Sequence, residues 1–212
     1  MINRHYLDGK WLKTEDLKIS AFDLAVVRGF GVFDFLRTYN RLPFYLDDHL
    51  DRFFNSAKLL QLKIPKSKDE IKKIIFEGIE KNPAGELNVK IILTGGETID
   101  GITPVGKHVL LITFTGAVEY PKELYQKGVK VITIKGSRFL PQAKYLNYTQ
   151  AVLAMMRAKK EGAEEALYVD EKGRITEATR ANFFAVIGGH LVTPKNGVLF
   201  GITRKVVLKL AA

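Results

Sequence analysis

The stretch Gly136-Ser137-Arg138-Phe139-Leu140-Pro141-Gln142-Ala143-Lys144-Tyr145-Leu146-Asn147-Tyr148 constrains this chain more than any other. A strand pattern (Val129, Val131, Thr133) precedes it and a helical pattern (Val152, Met155, Met156) follows, so it must convert one into the other. Within it Lys144 stands among neutral and apolar neighbours, three residues after Pro141. An ammonium in such surroundings loses hydration, which favours the neutral, nucleophilic amine. An amine needs that state to form a Schiff base with an aldehyde. The competing reading is a surface Lys at a loop-to-helix junction. In a chain with so many lysines, this stretch alone favours the second.

Composition narrows the chemistry. A length of 212 residues permits one large or two modest domains with real cores. The contents of 46% hydrophobic and 26% charged residues are those of a globular protein. The absence of Cys excludes disulfides, thiolate metal sites and Cys nucleophiles; it is compatible with a reducing cytoplasm, the expected location. No metal ligand set is expected. No apolar run approaches the roughly 20 residues needed to cross a bilayer, and Met1-Ile2-Asn3-Arg4-His5-Tyr6 lacks a signal-peptide core. A net charge of +10 would suit nucleic acid, anionic lipid or small anions. The lysines, however, are scattered over helical faces (Lys66, Lys68, Lys72, Lys73, Lys159, Lys160), with no RNA-binding or zinc-finger signature beside them. A solvated basic surface is expected, with neither nucleic acid nor membrane as partner.

Taken in order, Tyr6 to Trp11 reads as a hairpin turning on Asp8-Gly9. Gly29-Phe30-Gly31 would let backbone pass close to something, and a strand follows to Tyr39. Arg28 beside those glycines is an anion anchor or a surface cation. Leu42 to Leu46 reads as a short strand. Next comes a helix from Asp47 with Leu50, Phe53, Phe54, Ala57 and Leu60 on one face and Arg52 beside that stripe. A second helix opens on the capping box Ser67-x-x-Glu70. Strands at Leu87–Leu93 and Val109–Thr115 flank a glycine-bearing loop. The polar, Pro-bearing segment 117–122 is the expected linker between domains 1–116 and 123–212. The second half is mostly strands around one helix, Asn147 to Glu161. Ala166–Asp170 and a continuous strand Ile175–Val186 are expected, then a hairpin through Gly188-Gly189 to Leu191–Thr193. Thr203 is an N-cap candidate for a helix from Arg204, and a Gly-containing turn feeding a helix N-terminus suits phosphate.

Together these candidates are a Lys, a strand Glu, a helix Arg and a phosphate-suited helix start. Pyridoxal 5′-phosphate needs such a set: an amine for the aldehyde, a carboxylate for the ring nitrogen, and an Arg with a helix N-terminus for the phosphate. Here the sequence resembles the fold-type IV (class IV) aminotransferases, a group including branched-chain aminotransferases, D-amino-acid transaminases and aminodeoxychorismate lyases. Arg28-Gly29-Phe30-Gly31-Val32-Phe33-Asp34 resembles the family's aromatic-Gly-x-Gly-Val-Phe-Glu block, and His49-Leu50-Asp51-Arg52 its His-Leu-x-Arg helix start. Lys144-Tyr145-Leu146-Asn147 is similar to the Schiff-base Lys with its Leu-Asn follow-on. Glu177 to Phe184 resembles Glu-x-x-x-x-Asn-(aliphatic)-Phe, and Leu199-Phe200-Gly201-Ile202-Thr203-Arg204 resembles Leu-Pro-Gly-Ile-Thr-Arg. The blocks fall in the family's order along essentially the whole chain.

The resemblance implies an α/β (α+β) fold of two domains, an N-terminal α/β sandwich and a strand-rich pseudo-barrel, with the cofactor between them. It implies that Lys144 carries pyridoxal 5′-phosphate as an internal aldimine and then acts as general base and acid. It also implies Arg52 on the phosphate with the Ile202 and Thr203 N–H groups, Leu199 against the ring, Glu177 at the pyridinium nitrogen and Tyr148 beside the cofactor. Arg28, Phe33 and Arg180 fall at the substrate. A homodimer is implied, with the loop Thr94–Thr103 closing the neighbour's pocket. Two departures stand out. Arg28 replaces a pocket-shaping aromatic, which suits a substrate carboxylate. Asn88–Thr94 holds no Arg-x-His pair, which argues against the usual D-amino-acid transaminase. The family continues beyond the point matching Ala212, so an incomplete second domain, cut from a longer chain, is expected. The expected reaction is amino transfer between a branched-chain-like or broad amino acid and a 2-oxo acid. The alternatives are a lyase releasing pyruvate and a non-catalytic basic binding protein on a degenerate fold.

Overall fold

The computed structural model describes residues 2–212. The chain divides into two compact units. One holds the residues up to Val118 together with Ala143–Asn147; the other holds Glu119–Gln142 and Tyr148–Ala212. The Lys144 segment therefore belongs to the first unit, not with the second-half residues around it in sequence.

The first unit is an antiparallel six-stranded sheet with helices on one face. Strands β1 (His5–Leu7) and β2 (Lys10–Leu12) form a hairpin whose turn residues, Asp8 and Gly9, both have positive φ, the pattern of a type I′ turn. The middle is made by β3 (Gly31–Tyr39), β5 (Leu87–Thr94) and β6 (Leu110–Gly116), with the short β4 (Leu42–Pro43) at the edge of β3. Alternation decides what is buried. Leu87, Val89, Ile91 and Leu93 of β5 and Leu110, Ile112 and Phe114 of β6 point inward, as do Val32 and Leu36 of β3. Asp34 occupies the inward position between those last two. Helix α2 (Leu46–Leu59) covers this face with Leu50, Phe53 and Ala57, and α3 (Lys68–Lys81) with Ile71, Ile75 and Ile79. The capping box at Ser67 and Glu70 is present in both its bonds. The expected strand 42–46 shrinks to two residues because Tyr45 adopts a left-handed conformation (φ 45°) that turns the chain into α2.

Gly78 of α3 faces Phe114, and a Cβ there would lie 2.0 Å from the ring's Cζ. Gly78→Ala is expected to destabilise the chain by about 1–3 kcal/mol through overpacking, despite Ala's better helix propensity. A denaturant midpoint equal to wild type would contradict this.

In the second unit β7 (Val131–Lys135) pairs in parallel with β8 (Glu165–Val169), and β8 pairs antiparallel with β9 (Ile175–Ala178). Helix α5 (Thr149–Lys160) packs Ala154 and Ala158 against Ile132 and Ala166. A short α4 (Lys122–Lys127), the hairpin β10 (Ala185–Ile187) and β11 (His190–Val192), and α6 (Ile202–Leu210) complete it. The expected continuous strand 175–186 is broken. Thr179, buried with its hydroxyl on Glu165, diverts the chain, and Ala178 N–H donates to Ala181 C=O at 2.8 Å. That reversal places Asn182 opposite Glu177 as a bridge pair. Gly201, not Thr203, caps α6, so Thr203 lies inside the first turn. Among the described residues no helix is long and apolar enough to cross a membrane.

Candidate active site

In the first unit the Gly-Phe-Gly turn does admit a second backbone. Phe33 N–H donates to Lys144 C=O and Leu146 N–H to Gly31 C=O, each at 2.9 Å, and Val32 bridges Tyr145. A Cβ on Gly31 would meet both Leu146 Cδ1 and the Leu93 carbonyl oxygen at 2.6 Å, so only glycine permits this approach. The Lys144 segment is thus clipped to the start of β3 by main-chain bonds. Its N–H donates to Ser56 Oγ on α2 at 3.0 Å. The half-buried Lys144 side chain places Nζ 4.6 Å from the centroid of the Phe33 ring, a cation–π distance.

Arg52 lies one helical turn before Ser56. Its Nε and Nη2 donate to Asp34 Oδ2 and Oδ1, both at 2.8 Å, a two-pronged contact that fixes the guanidinium plane. His49 Nδ1 donates to Asp34 Oδ1 at 2.7 Å, in the tautomer that a carboxylate acceptor requires. Burial pushes the Asp34 carboxyl upward, but hydrogen bonds from Arg52 and His49 outweigh it and hold the group below the usual 3.8. The contacts to Asp34 use Nε and Nη2, so Nη1 is the nitrogen through which Arg52 can take an anion. Arg28 ends α1 (Leu24–Val27), a helix capped by Asp23; it is exposed, with a guanidinium nitrogen donating to Val27 C=O at 2.8 Å.

The second unit carries the remaining candidates. Glu177 is buried on β9; its Oε2 accepts the Leu199 N–H at 2.9 Å and its Oε1 lies 3.2 Å from Arg138 Nε. Arg138 is equally buried and also donates to Pro141 C=O. Asn182 Nδ2 donates to Leu199 C=O at 2.7 Å, so the Leu199 main chain is held through both its N–H and its C=O. Gly201 follows so closely that a Cβ on it would fall 2.0 Å from Asn182 Oδ1. From there α6 begins, and helix geometry gives the Ile202 and Thr203 N–H groups no intrahelical acceptor. With the helix dipole they suit an anion. Tyr148 is half-buried at the N-cap of α5, without a side-chain capping bond there. Arg180 is exposed, with Nε 3.3 Å from Glu165 Oε2.

Sequence reasoning passed over Asp34 and His49 as the partners of Arg52, and Ser56, Arg138 and Asn182 as supports. The signals were present. His49, Arg52 and Ser56 fall at helical spacing, and Asp34 sits where strand alternation calls for an apolar residue.

A family model for amino-transferase class IV matches residues 31–212. A Methanocaldococcus jannaschii protein named "Putative branched-chain-amino-acid aminotransferase" is 36% identical, covering 97% of this chain and 74% of that one. The branched-chain-amino-acid aminotransferase of Pseudomonas aeruginosa is 29% identical, over 98% and 72%. The crystal structure of a T.th. branched-chain amino acid aminotransferase with pyridoxamine 5′-phosphate superposes with a TM-score of 0.92 at 29% identity; it covers all of this chain and 74% of that one. With the family match spanning most of its length, this chain belongs to the class IV aminotransferases, enzymes that work with pyridoxal 5′-phosphate.

Proposed function

We propose that the chain moves an amino group between a branched-chain-type amino acid and a 2-oxo acid, with Lys144 as its covalent and acid–base residue. One observation carries this reading: Lys144 is held by main-chain bonds to β3 and by Ser56 of α2, and α2 also bears the Arg52 guanidinium oriented by Asp34. The names of the relatives support the substrate class.

The donor set fits pyridoxal 5′-phosphate. The first unit contains an amine over an aromatic ring and an oriented guanidinium; the second contains a buried carboxylate and a helix start with two N–H groups that lack intrahelical acceptors. When bound, the cofactor supplies an aldehyde carbon that takes an amine and a protonated ring that withdraws electron density. Lys144 Nζ makes the attachment. Freed from that attachment, Nζ would be the group able to move a proton between a substrate Cα and the former aldehyde carbon. Glu177 holds the proton on the ring nitrogen, and the Leu199 N–H keeps that carboxylate oriented. Arg52 Nη1 and the Ile202 and Thr203 N–H groups bind the phosphate. Arg28 receives a substrate carboxylate, and the functional form is a homodimer.

The test is borohydride reduction of the protein with pyridoxal 5′-phosphate, then peptide mass mapping. A pyridoxyl adduct confined to Lys144, and conversion of the bound cofactor to its amine form by leucine, are expected. Adducts spread over surface lysines would refute the assignment. Pyruvate release without a 2-oxo acid acceptor would replace transfer by elimination.

Glu177→Gln removes the charge that balances both Arg138 and the ring nitrogen. The expected fall in kcat is about 10²- to 10³-fold, as for losing one aligned electrostatic partner. A near-wild-type rate would remove Glu177 from the mechanism.

A further inference from the structure

Ser56 has no part in the chemistry above, yet it is wholly buried and its hydroxyl serves two partners. Its O–H donates to Arg52 C=O at 2.8 Å, one helical turn back, which satisfies the hydrogen without help from any other element. The same oxygen accepts the Lys144 N–H at 3.0 Å, from a residue 88 positions further on. Nothing in helix formation asks for Ser here, since Ala is the better helix former and the position is fully buried. The hydroxyl makes sense as an acceptor for Lys144.

We propose that Ser56 is a positioning residue that fixes the register of the Lys144 segment on α2, and through α2 its relation to Arg52. The role of the amine rests on the function proposed above; the tie itself rests on geometry. The bonds from Phe33 and Leu146 run along the edge of β3 and set the segment's position on that strand. The Ser56 bond comes from a different element and ties the segment to α2 as well. Because Arg52 and Ser56 are four residues apart on one helix, a single rigid turn carries both the guanidinium locked on Asp34 and the acceptor for Lys144. A shift of that turn would move amine and guanidinium together, keeping matched two groups that the cofactor must span.

The test uses Ser56→Ala and Ser56→Thr in the full chain, with two readouts. The first is amide exchange in the cofactor-free protein. Ser56→Ala should speed exchange at Lys144 about tenfold, the equivalent of one ordinary hydrogen bond, with Val89 and Ile91 unchanged. The second is the pyridoxal 5′-phosphate concentration that half-saturates the borohydride-trapped Lys144 adduct, which should rise about five- to tenfold by the same energetics. Ser56→Thr, which keeps the hydroxyl, should restore both. Exchange that quickens equally at Lys144, Val89 and Ile91 would show general destabilisation and overturn the positioning role, as would a Ser56→Ala chain equal to wild type in both readouts. A wild-type chain that traps no adduct at Lys144 would instead overturn the function proposed above, and the Ser56 role with it.

Discussion

Lys144→Ala is expected to lower kcat for amino transfer by at least about 10²- to 10⁴-fold, the range for losing one positioned acid–base group. Loss of the covalent attachment adds to that. The fold should not suffer. The bonds from Phe33 and Leu146 and the bond to Ser56 all use main-chain atoms of the Lys144 segment, and Ala supplies them unchanged. The side chain forfeits its contact with the Phe33 ring, worth about 0.5–1 kcal/mol where partly exposed. Activity and stability should therefore separate: a collapsed turnover number with an unfolding midpoint within a few degrees of wild type. Methylamine in the assay should return part of the rate by replacing the lost base. A Lys144→Ala chain within tenfold of wild-type kcat would end the assignment of Lys144 as the catalytic amine.

Asp34→Ala acts on the fold first. The carboxylate sits on the inward face of β3 with Arg52 and His49 turned toward it, and removing it leaves the Arg52 cation without its partner. Breaking a buried pair from one side costs about 3–5 kcal/mol, a large share of the stability of any domain. Asp34→Asn keeps the volume and separates charge from packing. It should cost less in stability yet still weaken phosphate binding, because the Arg52 plane is no longer fixed. The pH dependence has a definite sign. The folded-state value of Asp34 lies below the ordinary 3.8, so the folded chain holds this proton less tightly than the unfolded chain. Its contribution is whole above about pH 4 and is lost as pH falls through the depressed folded-state value. Wild type should thus lose stability in that acidic window by one Asp34-sized step that Asp34→Asn lacks. Urea midpoints of the two proteins that fall in parallel from pH 5 to pH 3 would refute this.

Regular elements of the first unit were readable because each obeys one period. The alternation in Leu87–Leu93 and the helical spacing of Ile71, Ile75 and Ile79 correspond to packed faces in the structure. The irregular positions were not. The break after Ala178 comes where Thr179 is buried with its hydroxyl on Glu165, 14 positions earlier on the neighbouring strand, a contact that no local propensity announces. The helix α6 starts from Gly201, so Thr203 falls in its first turn, although a Thr before a helical run is a fair cap signal. The fate of Lys144 shows the limit of local reading. Its neighbours in sequence point to a loop-to-helix junction, while its neighbours in space are Phe33 and Ser56. The glycines at 29 and 31 signalled a close approach, but not that the approaching group is the backbone of the Lys144 segment.

The clip between β3 and the Lys144 segment also bears on the order in which this chain folds. The sheet of the first unit draws its strands from residues before Val118, and its neighbouring strands are mostly joined by local turns or two-helix connections. The clip closes a loop that includes the whole 119–142 segment, with Ser56 and Lys144 separated by 88 positions. Loop closure over such a span carries an entropic cost that local contacts avoid, so contacts of this kind are made late. On the ribosome the strands of the sheet emerge before residue 144, so the Lys144 segment is expected to dock onto a sheet already assembled. Sequence changes that slow or weaken that last docking step would leave a folded, soluble-looking sheet with its amine adrift. Such lesions would show in cofactor loading long before they show in a melting curve.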